Sequence, residues 1–221
     1  MIRSWNVDFF TRWVKVMYPS SVFLWRFIQI NEENPESMKT LPELIKVDLH
    51  KPMKTSIFLR RDTTDIWNFR EIMEHNVYGI LGQYMKSKKT IIDLGANIGL
   101  ASYYFAATFK DARIFSVEPD SDNFKILSKN LSSLIKNNRC KLLQGAAWKE
   151  NAELRISEPS KDLGKWALQV EAAPTTESKT NVFQGYTLHQ IIEKSGFDTV
   201  DLLKIDIDGA EVDVFQAYTE G

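Results

Sequence analysis

The chain has 221 residues, a formal net charge of −1 and 26% charged residues. Hydrophobic residues make up 43% of it, which is globular composition and excludes both a disordered chain and a general electrostatic pull toward nucleic acid. The single cysteine, Cys140, cannot close an internal disulfide, so nothing points to an oxidising compartment and the cytoplasm is the expected location.

Residues 1–30 are rich in aromatics, with Trp5, Phe9, Phe10, Trp13, Tyr18, Phe23, Trp25 and Phe27. Phe9, Trp13 and Met17 recur at helical spacing and suggest an apolar stripe. Arg12, Lys15 and Arg26 break the run, so neither a transmembrane helix nor a signal peptide is expected. Such helices would pack on the domain or on a second copy, giving a homo-oligomer; the sharper alternative is a helix that covers substrate or lies at an interface. Residues 31–42, with Pro35 and Pro42, read as a linker.

Leu44–Leu49 and Ser56–Leu59 are short strand-like runs on either side of Lys51-Pro52, and suggest a β-hairpin. Thr63-Thr64-Asp65 looks like the cap of a helix through Ile66, Phe69, Ile72 and Met73. Val77 to Met85 suggests another helix. The expected division is therefore aromatic helices and linker over 1–42, a hairpin and helical lead-in over 43–88, and a core over 89–221.

From residue 89 strands and helices alternate. Thr90–Leu94 is a continuous apolar strand, as expected where helices cover both faces. Ile98, Ala101, Ser102, Phe105, Ala106 and Phe109 give the buried face of a helix. Arg113–Val117 is the second strand. Asp120 opens a helix bearing Phe124, Leu127, Leu131 and Leu134. Lys141–Gln144 is the third strand, and Cys140 just before it reads as a buried residue and not a reactive thiol. Residues 149–180 are polar and suggest a hairpin or an irregular excursion. Thr187 caps a helix bearing Leu188, Ile191 and Ile192, which Gly196 stops. Val200–Ile205 is the fourth strand, and a final helix spans Glu211 to Tyr218. This order predicts an α/β fold, a doubly wound, Rossmann-like parallel sheet. A sheet of this type usually carries more than four strands, so truncation after the fourth is expected.

The strand ends carry the chemistry. Ile92-Asp93-Leu94-Gly95-Ala96-Asn97-Ile98-Gly99 is a strand, an acid and a glycine turn opening a helix. Val117-Glu118-Pro119 is a second strand ending on a carboxylate. Together they make a cradle for a nucleoside at the carboxyl edge of the sheet. The dinucleotide pattern G-x-G-x-x-G needs glycine where this chain has Asn97 and Leu100. Asp93 would repel a pyrophosphate and suits a cationic ligand, so the pattern points to S-adenosylmethionine before NAD. Asp93 would hold the amino group of that ligand, directly or through water. Gly95, Ala96 and Gly99 let the backbone approach it, and Asn97 would bond the ligand or brace the loop. Glu118 would accept the ribose hydroxyls and reject a 2′-phosphate. Gln144, Gly145 and Ala146 fall where adenine would lie. Asp206 is the candidate to meet the cofactor amine or the acceptor. Asp208 and Glu211 would orient the acceptor or hold Mg²⁺; the bland alternative, a turn and a charged helix start, is preferred, so no metal ligand is assigned. The three histidines, His50, His75 and His189, fit no catalytic spacing. Trp148 and Trp166 read as packing before they read as covers for adenine.

Residues 59–220 resemble the FkbM family of S-adenosylmethionine-dependent methyltransferases. The resemblance rests on Leu59-Arg60-Arg61-Asp62-Thr63-Thr64-Asp65, on Ile92 to Gly99, on Ser116-Val117-Glu118-Pro119, and above all on Asp201-Leu202-Leu203-Lys204-Ile205-Asp206-Ile207-Asp208-Gly209-Ala210-Glu211. Family members commonly have Glu where this chain has Asp208, and often an acid where it has His189. The resemblance implies S-adenosyl-L-methionine as cofactor and methyl transfer to a hydroxyl oxygen of a sugar, glycan or other small molecule. The candidate catalytic residues, read from their place at the end of the fourth strand, are Asp206, Asp208 and Glu211. Two other classes remain open: a non-catalytic or partner-dependent subunit of the same fold, and, less favoured, a nicotinamide oxidoreductase.

Overall fold

The structure, a computed structural model, describes residues 42–49, 55–61, 63–81, 89–157, 169–172, 182–207 and 210–219. The expectations for residues 1–41, His50, Asp208 and Trp166 lie outside these. The chain divides into two compact units, Met1–Tyr84 and Met85–Gly221.

In the first unit β1 (Leu44–Leu49) and β2 (Thr55–Arg60) form the expected antiparallel pair, Leu44 opposite Arg60 and Leu49 opposite Thr55. Burial alternates along β1, with Ile45, Val47 and Leu49 inside, as the period of a pleated strand requires. α1 (Asp65–Phe69) follows, and the chain then widens into a π-helical turn over Arg70–Glu74. The Thr64 side chain makes no cap bond. Instead Thr63 Oγ1 accepts from Asp65 N at 3.2 Å and donates to Arg60 O at 3.1 Å. Asp65 is fully buried, and Arg60 clasps it with Nε on Oδ2 and Nη2 on Oδ1, both at 2.9 Å. A bidentate pair of this kind fixes geometry as well as charge. It explains physically the Arg60 to Asp65 stretch that carried part of the family resemblance.

The second unit is built on a parallel sheet, β10-β3-β4-β5. β3 is Thr90–Leu94, β4 Arg113–Glu118, β5 Cys140–Gln144 and β10 Leu202–Ile205. The chain runs outward from β3 to β5, then returns to lie on the other side of β3. That reversal makes β3/β10 the switch point of a doubly wound, Rossmann-like sheet, where ligands bind outside the carboxyl ends. Ile91, Ile92 and Leu94 are fully buried, as a strand covered on both faces requires. α2 (Leu100–Thr108) crosses from β3 to β4 and buries the expected face, with Leu100 and Tyr103 inside as well. The expected single helix after β4 is two: α3 (Ser121–Asn130) and α4 (Ser132–Lys136), parted at Leu131. Asp120 caps α3 by accepting from Asp122 N and Asn123 N.

A second sheet, β6-β9-β7-β8, was only partly foreseen. β7 (Ala152–Ser157) and β8 (Gln169–Ala172) are the expected hairpin. β6 (Ala146–Ala147) and β9 (Val182–Tyr186) are additional: β9 pairs parallel with β6 and antiparallel with β7. α5 (Leu188–Ser195) then starts on a capping box, with Thr187 Oγ1 accepting from Gln190 N and Gln190 Oε1 from Thr187 N. It stops at Gly196, whose φ of +70° suits glycine. β10 begins at Leu202, later than the expected Val200. α6 (Glu211–Thr219) buries Val214 and exposes Val212 and Phe215. Among the described residues no helix is long and apolar enough to cross a membrane.

Candidate functional site

The turn after β3 is where sequence and geometry converge. Gly95 has φ +70°, and a Cβ there would stand 1.8 Å from Asp206 O. The turn and the end of β10 therefore meet backbone to backbone, and no other residue fits. Gly99, at φ +87°, faces Leu127 and Leu131, so a Cβ there would strike α3 and the residue ending it. Asn97 also sits in the left-handed region, at φ 49°. The loop between is pinned to β4 by Ala96 N on Val117 O at 2.9 Å and Asn97 N on Glu118 Oε2 at 2.8 Å. Asn97 Oδ1 is buried, with no hydrogen-bond partner among the described residues.

Glu118 ends β4 and is 5% exposed. Besides Asn97 N it accepts from Asp120 N at 3.1 Å and Asn123 Nδ2 at 3.2 Å. Burial pushes its carboxyl above the ordinary value, more than these hydrogen bonds pull it down. Oε1 accepts two of these bonds and Oε2 one, which leaves one lone pair open on Oε2.

Asp93 is fully buried at the carboxyl end of β3. Ser102 Oγ donates to its Oδ2 at 2.6 Å, and the Ser102 and Ser116 hydroxyls lie 2.7 Å apart. Lys204 Nζ stands 2.9 Å from Oδ1, an ion pair without the alignment of a hydrogen bond. Asp93, expected to hold a ligand's amine directly or through water, has no exposed surface and is engaged by Ser102 and Lys204. Lys204 Nζ also donates to Gly95 O at 2.9 Å and Leu94 O at 3.3 Å. Lys204 lies beside Asp93 in the β10–β3 register, a neighbour that only the strand order reveals.

Asp206 follows β10, its side chain 71% exposed and 3.5 Å from Lys204 Nζ. Glu211 opens α6, and its Oε1 accepts from Ile207 N at 3.2 Å. That bond ties Ile207, just after Asp206, to the start of α6. Gln144 is exposed at the end of β5, while Gly145 and Ala146 are buried. Gly145 N donates to Glu118 O at 3.1 Å, which ties the β5 exit to the β4 exit. The structure thus brings Gly95, Ala96, Asn97, Glu118, Gly145 and Asp206 to one edge, and turns Asp93 inward. No group of three or more metal-ligating side chains occurs among the described residues. Cys140 is buried on β5, its thiol pushed up to about 12 chiefly by burial.

The methyltransferase FkbM domain model matches residues 93–221. The methyltransferase sdnD of Sordaria araneosa is 26% identical over 209 residues, covering 81% of this chain and 76% of its own. A crystal structure of methyltransferase FkbM from Methylobacillus flagellatus overlaps at a TM-score of 0.42 and 19% identity, covering 61% of this chain and 29% of its own. The chain thus spans less than a third of that solved relative. The Pyrococcus horikoshii TYW2 in complex with MeSAdo overlaps at a TM-score of 0.32 and 15% identity, over 47% of this chain and 36% of its own.

Proposed function

The chain belongs to the FkbM methyltransferase family, and on that premise we propose that it uses S-adenosyl-L-methionine to methylate a hydroxyl of a sugar, glycan or other small molecule. The observation that carries this reading is the cradle between the Gly95–Gly99 turn and Glu118. The loop carries a buried Asn97 Oδ1 without a hydrogen-bond partner among the described residues, and next to it the Glu118 carboxylate, whose Oε2 accepts a single bond and keeps one lone pair open. A nucleoside with free ribose hydroxyls and an amine supplies the missing donors; a phosphorylated ribose would meet the Glu118 charge.

The residues present fit the cofactor. Glu118 would hold the ribose, Gly95, Ala96, Asn97 and Gly99 would line it, and Gln144, Gly145 and Ala146 would border adenine. Asp206, exposed at the end of β10, would take the amine that Asp93 is too buried to meet. When bound, the cofactor supplies an electrophilic methyl group on a sulfonium. Much of the acceleration would come from orienting the acceptor oxygen against it. The acceptor hydroxyl must lose a proton, and Asp206, Asp208 or Glu211 would accept or position it. Glu211 already bonds Ile207 N, which suits it to shaping the loop more than to taking a proton. Mg²⁺ is not needed for this scheme, and methyl transfer should survive EDTA.

Titration calorimetry with S-adenosylhomocysteine and with NAD is the first test. Binding of the former alone supports the reading; binding of NAD alone transfers the site to an oxidoreductase. A screen of hydroxylated acceptors with labelled S-adenosylmethionine then separates an enzyme from a subunit that binds without turnover.

A further inference from the structure

Lys204 carries no role in the scheme above, yet it is the cation at the heart of the site. Its side chain is 9% exposed. An ammonium has three donors and no acceptor, and here they face two carbonyls of one turn and a buried acid. Gly95 O points out of the strand ladder and takes a hydrogen bond from Lys204 Nζ at 2.9 Å. Leu94 O receives Lys204 at 3.3 Å as well as Asp206 N at 3.2 Å.

We propose that Lys204 is a positioning residue whose ammonium holds the Leu94–Gly95 backbone in the shape that receives the nucleoside, beyond neutralising Asp93. The inference rests on the reading of the cradle just given. Fixing these two carbonyls fixes the peptides that follow them. The Gly95 peptide aims Ala96 N at Val117 O, and the next peptide in the turn brings Asn97 N to Glu118 Oε2. The same ammonium stands between two acids of opposite placement, Asp93 fully buried and Asp206 with 71% of its side chain exposed. It draws one into the core and leaves the other open toward the ligand side.

Three variants of the full chain separate the two roles. Lys204→Met leaves Asp93 as an unpaired buried charge and should melt early. The double variant Asp93→Asn with Lys204→Met leaves no buried charge and should regain most of that loss. Amide hydrogen exchange then reads the loop without any ligand. In the double variant the amides of Ala96, Asn97 and Gly99 should exchange at least tenfold faster than in wild type, and S-adenosylhomocysteine should bind at least tenfold more weakly. Asp93→Asn alone, which keeps the ammonium on the carbonyls, should leave these amides within threefold of wild type. Wild-type exchange in the double variant overturns the proposal, as does an Asp93→Asn loop loosened as far as the lysine-free one. A wild-type protein that binds no S-adenosylhomocysteine, while its loop still loosens without Lys204, sinks the cofactor reading and upholds the positioning role.

Discussion

At the amino ends of the parallel strands, Asp201 Oδ2 accepts from Lys89 N at 2.8 Å and from Thr90 N and Thr90 Oγ1 at 3.2 Å. Arg139 there donates to Ala106 O, Phe109 O and Ala112 O, closing the end of α2. At the carboxyl ends the same kinds of group are arranged otherwise. Glu118 is buried with its carboxyl pushed up, Asn97 Oδ1 has no partner, and Asp206 stands in solvent. One end spends its polar groups on the chain itself, as buried polar groups must to avoid a penalty. The other holds some back, and a parallel α/β sheet binds its ligands at that end. The difference teaches that the two edges are told apart by unmet hydrogen-bonding capacity more than by the number of charged residues, and the proposed site lies at the edge that has it.

The comparison is broken most severely at Gly95. Gly95→Ala puts a Cβ 1.8 Å from Asp206 O at φ +70°. Overpacking and left-handed strain together should cost more than roughly 3 kcal/mol. Chemical denaturation should show that loss, along with abolished S-adenosylhomocysteine binding; a stable variant that still binds would mean the turn is not the cradle.

Glu118→Ala comes next. Loss of a charged acceptor should weaken S-adenosylhomocysteine binding by about 1.5–3 kcal/mol per hydrogen bond removed, measured by calorimetry. Glu118 also gives the working end a pH signature. Its folded value lies above the ordinary 4.5, so the folded state binds more protons than the unfolded one in between. Stability therefore falls as pH rises from about 4.5 through the raised value, and is level above it. Glu118→Gln should flatten that fall in a pH series of thermal melts; an unchanged slope would assign it to another group.

A smaller effect sharpens the contrast from the opposite end. Asp201→Ala removes an acceptor shared by Lys89 and Thr90, and should destabilise by about 1–2 kcal/mol, within the range for orphaned backbone donors. Ligand affinity should stay at the wild-type value. Weakened binding in a fully folded variant would show that the two ends are coupled. Cys140 should show the least: with its thiol pushed up to about 12, a thiol reagent at pH 8 should label the protein only after denaturant is added.

Much of this contrast could be read in advance, though unevenly. Thr90–Leu94 matched its expected bounds because a strand covered on both faces is continuously apolar. Thr187 and Gly196 marked α5 correctly because caps are local chemistry. What escaped was non-local. Gln184 and Gly185 break the apolar run of β9, whose identity as a strand comes from pairing with β6 and β7. The partners of Asp93, Lys204 and Ser102, are set by strand register and helix crossing, which the local motif does not carry. Lys204 itself was legible only as part of a family pattern. A lysine on a strand otherwise made of Leu202, Leu203 and Ile205 was a signal that a buried acid must lie beside it.

The short β6–β9 ladder has a consequence for how this fold can diversify. Ala146 pairs with Gly185 and Ala147 with Tyr186, and Trp148 N adds a bond to Tyr186 O at 2.8 Å. The excursion that leaves the core after β5 is therefore stapled at its neck, just before the chain re-enters through α5. Segments beyond such a neck can lengthen, shorten or be exchanged at the modest entropic cost of resizing a closed loop, because the paired residues keep entry and exit in place. A change of length beyond the neck would therefore leave the β5 exit and the start of α5 where they are, tied by the Ala146–Gly185 and Ala147–Tyr186 pairs.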